Sequence, residues 1–181
     1  MNASVSQSDE ALRALGAEAS TRSRNAIISE GVLGGVIAAS AVALVFLIID
    51  SMAGQALRTP RQLGVMLLGL FGGASGDAAT PLALYTLFHF VAFILAGILA
   101  AAIVQVTMKK PIAVLLFVIL FFAFEVAFTG FVAFLDSTSN SGITPLQVGI
   151  GNVVASIAMA IFFTVRHPNL RSIGRTLSAE E

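Results

Sequence analysis

Residues 31–49 read GVLGGVIAASAVALVFLII, nineteen consecutive positions without a charged side chain. A helix of that length rises about 28 Å, close to the roughly 30 Å hydrocarbon core of a bilayer. A lone strand in lipid would leave its backbone N–H and C=O groups without partners, so the stretch must be helical. With its flanks the segment extends over residues 26–50, and Glu30 and Asp50 stand at the two ends of its apolar part.

Three more segments of the same kind follow, at residues 81–106, 111–135 and 145–166. Each opens on a proline, Pro81, Pro111 or Pro145. Proline suits the first helical position because the N–H it lacks would be unpaired there anyway. Thr80 stands where an N-cap belongs, and Pro168 stops the last helix. The expected fold is all-α: a polytopic membrane protein whose four transmembrane helices form a bundle over residues 26–166. A polar segment (1–25), read as disordered or as one weak turn around Leu12 and Leu15, precedes it, and a basic tail (167–181) follows.

Composition agrees with this reading. Of 181 residues, 57% are hydrophobic and 11% charged, too few charges to clothe a soluble domain. Mean hydropathy is +0.93. Ten basic and ten acidic side chains cancel, which removes the electrostatic case for a nucleic-acid partner. The chain has no cysteine, so disulfides, thiol redox chemistry and thiolate-bound metals drop out together. The polar start, with no short apolar core leading to a small-residue cleavage site, points to a retained signal anchor rather than a cleaved signal peptide.

Basic residues set the expected orientation. Arg13, Arg22, Arg24, Lys109, Lys110, Arg166, Arg171 and Arg175 share one side of a four-span topology, against Arg58 and Arg61 on the other. Eight against two puts both ends in the cytoplasm by the positive-inside rule. The first outer loop carries Thr59, Pro60 and Arg61 followed by QLGVMLLGLF (62–71), an apolar run too short to span. It reads as an interfacial helix rather than a re-entrant hairpin, with Gly72–Gly76 as the return. Leu170, Ile173 and Leu177 give the tail one apolar face, which can rest on an anionic leaflet or remain unstructured.

Polar groups inside apolar helices need a reason. Ser40, His89, Glu125 and Asn152 supply one such group to each segment, all roughly 10–15 Å below the outer boundary at 1.5 Å per residue. Tyr85 lies one turn from His89, and Thr129 one turn from Glu125. Polar side chains of this kind commonly tie membrane helices together, and Ser40 and Asn152 fit that role. An intramembrane carboxylate is a functional-site hypothesis by default, so Glu125 and His89 form the candidate protonatable pair.

Other chemistry finds little support. His89 and His167, the two histidines, lie about a membrane thickness apart and cannot straddle one haem. A lone Glu–His pair offers too few ligands for a closed metal site, so no metal and no cofactor is expected. Ser-His-Asp sets, phosphate-binding glycine loops and HExxH are missing. Gly31 and Gly35 form a GxxxG pair, and Gly97 and Gly151 begin small-xxx-small spacings with Ala101 and Ala155. These spacings allow close backbone approach within the bundle or between copies. Seven of the fourteen phenylalanines fall in residues 111–135, which packing or lipid contact explains.

The runs GVLGGVIAASAVALVFLIID (31–50), TLFHFVAFILAG (86–97) and GNVVASIAMAIFFTVRHP (151–168) resemble a group of small, functionally uncharacterised four-helix integral membrane proteins of bacteria. The resemblance implies a bacterial inner membrane location and no particular activity. The expected function is therefore a non-catalytic accessory or structural subunit of a membrane complex. Its partners would be the lipid bilayer and other membrane subunits or a second copy. The competing expectation is a small transporter or proton-handling protein built on Glu125 and His89.

Overall fold

A computed structural model describes residues 2–74, 76–139 and 144–170. These residues form α1 (Asn2–Met52), α2 (Arg58–Leu70), α3 (Ala79–Thr107), a 3-10 turn (Pro111–Val114), α4 (Leu115–Ser139) and α5 (Pro145–Arg166). No strand occurs among the described residues. Four stretches are long and apolar enough to cross a membrane: Leu15–Met52, Ala79–Thr107, Leu115–Phe134 and Leu146–Arg166.

The helix starts show local sequence at work. Thr144 caps α5 by accepting from the Gln147 N–H, while the Gln147 side chain accepts from the Thr144 N–H at 2.9 Å. This reciprocal pair is a capping box, legible as Thr-x-x-Gln in the sequence. At α3 the capping side chain is Asp77 rather than Thr80: its carboxylate accepts from the Thr80 N–H at 2.7 Å and from the hydroxyl at 3.1 Å. Pro111 opens a 3-10 turn instead of an α-helix, so α4 begins at Leu115 and continues to Ser139.

The N-terminal segment also departs from expectation, because α1 is helical from Asn2 without a break. Helix nucleation is the costly step, and the membrane-length part of α1 supplies the nucleus. Extending it through Ala11, Leu12, Ala14 and Leu15, all strong helix formers, then adds one hydrogen bond per residue. The tail from residue 171 onward lies outside the described residues.

The most extensive packing is between α1 and α3. Glycines make it possible. A Cβ on Gly31 would fall on the Ile98 backbone, one on Gly35 would lie 2.6 Å from Ile94 Cα, and one on Gly97 2.6 Å from the Gly35 nitrogen. Two antiparallel backbones touch here with nothing between them. In lipid such packing has to hold helices together, because tails are as apolar as side chains and burial alone gives no drive. Gly151 brings α5 against Phe46 and Val42 of α1. Ala38, Ala39, Ala100, Ala101 and Val104 complete a core of small side chains.

Two elements sit apart from this core. The short helix α2 packs Leu63 and Met66 against Val132 of α4 and Val148 of α5, beside Tyr85 of α3. Gly64 rests on the Pro81 backbone, where a Cβ would collide. Thus α2 covers the bundle end that carries the loop between α1 and α3. The other outlier is α4, where Phe122, Val126 and Phe134 are exposed and Val126 reaches 72%.

Candidate functional site

Tyr85, Val132 and Val148 share a contact layer beneath α2. One turn further along their helices lie His89 and Asn152, about 6 Å from that layer, while Glu125 lies roughly 10 Å along α4. These polar groups occupy neighbouring levels but face different neighbours.

His89 is 6% exposed, and its Nε2 lies 3.0 Å from the Ala39 carbonyl on α1. A carbonyl can only accept, so Nε2 carries the hydrogen. Nδ1 faces the Tyr85 hydroxyl at 3.5 Å, the outer limit of a hydrogen bond. The Phe93 ring stands 4.7 Å from the imidazole, centroid to centroid, and closes the pocket. The bond from His89 joins α3 to α1.

Glu125 turns the other way. The Asn152 amide donates to its Oε2 at 2.5 Å, joining α5 to α4. No hydrogen bond or ion pair links His89 to Glu125, so the sequence-expected pair is not made in this structure. Ser40 is exposed on the outer face of α1 and stands apart from both ties. Thr129 is half-buried one turn from Glu125.

Asp50, at the end of the apolar part of α1, is 4% exposed. Its carboxylate accepts from the Thr59 N–H and from the Thr59 hydroxyl, both at 2.8 Å. An acid from α1 thereby caps α2, whose own N-cap residue, Leu57, is in the left-handed region at φ 66° and makes no side-chain cap. At the opposite end Glu30 pairs with His167 at 2.9 Å and Arg166 at 3.4 Å. Neither acid's partner is signalled by a short-range spacing.

Between α3, α4 and α5 lies a cleft of about 570 Å³, within the range of small-molecule sites. Ala96 and Thr107 on one wall, Phe121 and Phe124 on another, and Asn152 and Ser156 on the third line it. Small residues on α3 and α5 face bulky rings on α4, which stand the helix away from α3. Thr107 is 1% exposed, and its hydroxyl has no hydrogen-bond partner. The sequence offered no sign of this group, since a threonine near a helix end is ordinary. No cluster of three or more His, Asp or Glu side chains able to hold a metal occurs among the described residues.

Comparison with protein-family models, with curated proteins and with solved structures gives no match.

Proposed function

We propose that this chain is an integral protein of the bacterial inner membrane that serves as a non-catalytic accessory or structural subunit of a membrane complex. Both ends lie in the cytoplasm, and α2 lies at the outer membrane–water boundary. The observation that carries the reading is how the intramembrane polar groups are used. His89 holds α3 to α1 and Asn152 holds α5 to α4, so each serves as an interhelical tie. The exposed face of α4 around Phe122 and Val126 suits contact with lipid, a partner subunit or a second copy.

A second reading keeps one supporting observation. Glu125 is only half-buried, and its partner Asn152 borders the cleft, so a proton-handling role for Glu125 with His89 has a route to consider. Reconstitution into vesicles separates the two. The accessory reading expects no proton flux above protein-free vesicles, and a mass above the monomer when the chain is extracted from its own membrane in mild detergent. A proton flux abolished by Glu125→Gln would establish the transporter instead.

A further inference from the structure

We propose that the cleft between α3, α4 and α5 is a binding site for one anionic glycerophospholipid, with an acyl chain inside the cleft and the phosphate at Lys109 and Lys110. The inference rests on the chain being embedded in a bilayer, and membrane fractionation tests that point separately.

Three features of the cleft converge. The first is shape and lining. From Ala92 to Thr107 the α3 wall extends about 22 Å along the helix axis at 1.5 Å per residue, more than the roughly 15 Å hydrocarbon depth of one leaflet. Phe121 and Phe124 make its α4 wall apolar. A long hydrocarbon chain lying along the helices matches that form better than a compact polar solute.

The second is the orphan hydroxyl. Thr107 lines the cleft near the C-terminal end of α3 and is buried with no partner. A buried donor left unsatisfied is costly, and natural proteins seldom retain one. An ester carbonyl of a lipid at this level would accept its hydrogen.

The third is charge. Lys109 and Lys110 follow Thr107 directly, are exposed, and make no ion pair among the described residues. In a glycerophospholipid the phosphate sits just beyond the ester carbonyls toward water. Two ammonium groups a few ångströms beyond Thr107 therefore stand where that phosphate would lie. Basic pockets between membrane helices on the cytoplasmic side recognise anionic headgroups in this way.

The test is native mass spectrometry of the full chain, purified in mild detergent and exposed to equal amounts of phosphatidylglycerol and phosphatidylethanolamine. One phosphatidylglycerol per chain should be retained in preference. Ala160→Phe, at an exposed position lining the cleft, should abolish that adduct. Thr107→Val should weaken it about two- to tenfold, the worth of one hydrogen bond. Lys109→Gln with Lys110→Gln should erase the preference between the two lipids while leaving some binding. If Ala160→Phe loses helicity by circular dichroism, crosslinking of the unaltered protein with a photoactivatable phosphatidylglycerol decides, and labels should fall on α4 and α5 residues facing the cleft. Equal retention of both lipids, retention unchanged by filling the cleft, recovery of an isoprenoid quinone instead, or labels spread over the outer face of α1 would each overturn the proposal.

Discussion

Asn152 and Glu125 meet at 2.5 Å across the gap between α5 and α4, the amide donating to the carboxylate. The tie matters because α4 is otherwise held by apolar contacts, such as Val132 against α2 and α5 and Phe131 against Phe88 of α3. Its exposed residues Phe122 and Val126 face away from the bundle, and the cleft separates much of its other side from α3.

Removing the donor should loosen α4. Asn152→Ala leaves a half-buried carboxylate without its partner and should destabilise the chain by about 1–2 kcal/mol. Glu125→Gln keeps an acceptor oxygen for Asn152 and should cost less. Thermal unfolding in detergent, followed by circular dichroism, ranks the two. The interpretation fails if Asn152→Ala melts with the unaltered protein.

The α1–α3 contact should tolerate nothing larger than glycine at its centre. Gly97→Val would place side-chain atoms inside the Gly31 and Gly35 backbones. The helices would have to separate, at a cost of roughly 2–3 kcal/mol or more. Gly130→Ala on α4, where no neighbouring atom lies within 4 Å, should be neutral or stabilise by up to about 1 kcal/mol. Yields of folded protein and melting temperatures for the two variants should diverge in opposite directions.

Asp50 should govern α2 without greatly affecting the bundle. Asp50→Ala removes both bonds to Thr59 and should destabilise the start of α2 by about 1–2 kcal/mol. Thr59→Val retains the backbone bond and should give roughly half the effect. Hydrogen exchange resolves this: the amides of Thr59 and of residues 61–63 should exchange faster in Asp50→Ala, and those in α3 should not change. Equal acceleration throughout the chain would mean that Asp50 supports the whole bundle.

The ion pair at Glu30 should contribute little. Arg166 is 64% exposed on its side chain, so its interaction is screened by water and salt. Replacing Arg166 with Gln should change the melting temperature by no more than a degree or two, an effect that disappears in high salt. His167→Ala, which removes the closer and more buried partner, should be the more costly change.

Topology can be measured directly because the chain has no cysteine to give background. A membrane-impermeant maleimide added outside intact cells should label Gly72→Cys and spare Lys109→Cys. Permeabilised cells should allow both. Labelling of Lys109→Cys in intact cells would reverse the orientation drawn from the basic residues.

Much of the architecture was legible because membrane helices are marked by a one-dimensional property, the length of an apolar run. All four spans, and the start of α5 at Pro145, follow from that and from cap chemistry. The N-terminal extension of α1 was not, since helix propagation from an existing nucleus leaves no hydrophobic signature. The α1-to-α2 link was not legible either. Asp50 and Thr59 are nine residues apart across a turn, and no helical or strand period joins such positions.

The polar site shows where sequence reading stops. Depth along a helix follows from counting residues, so Ser40, His89, Glu125 and Asn152 could be assigned to one zone. Direction does not follow, because each residue turns a helix by about 100° and small differences in helix rotation decide what a side chain meets. Ala39 offers its carbonyl to His89 in the core while Ser40, its immediate neighbour, faces outward. The amino-acid sequence by itself determined that four apolar helices form, since lipid requires every backbone group to be paired within its own segment. Tertiary packing alone decided that Glu125 pairs with Asn152 and His89 with α1, because those choices depend on how closely the glycines let α1 and α3 approach and how far the phenylalanines hold α4 away.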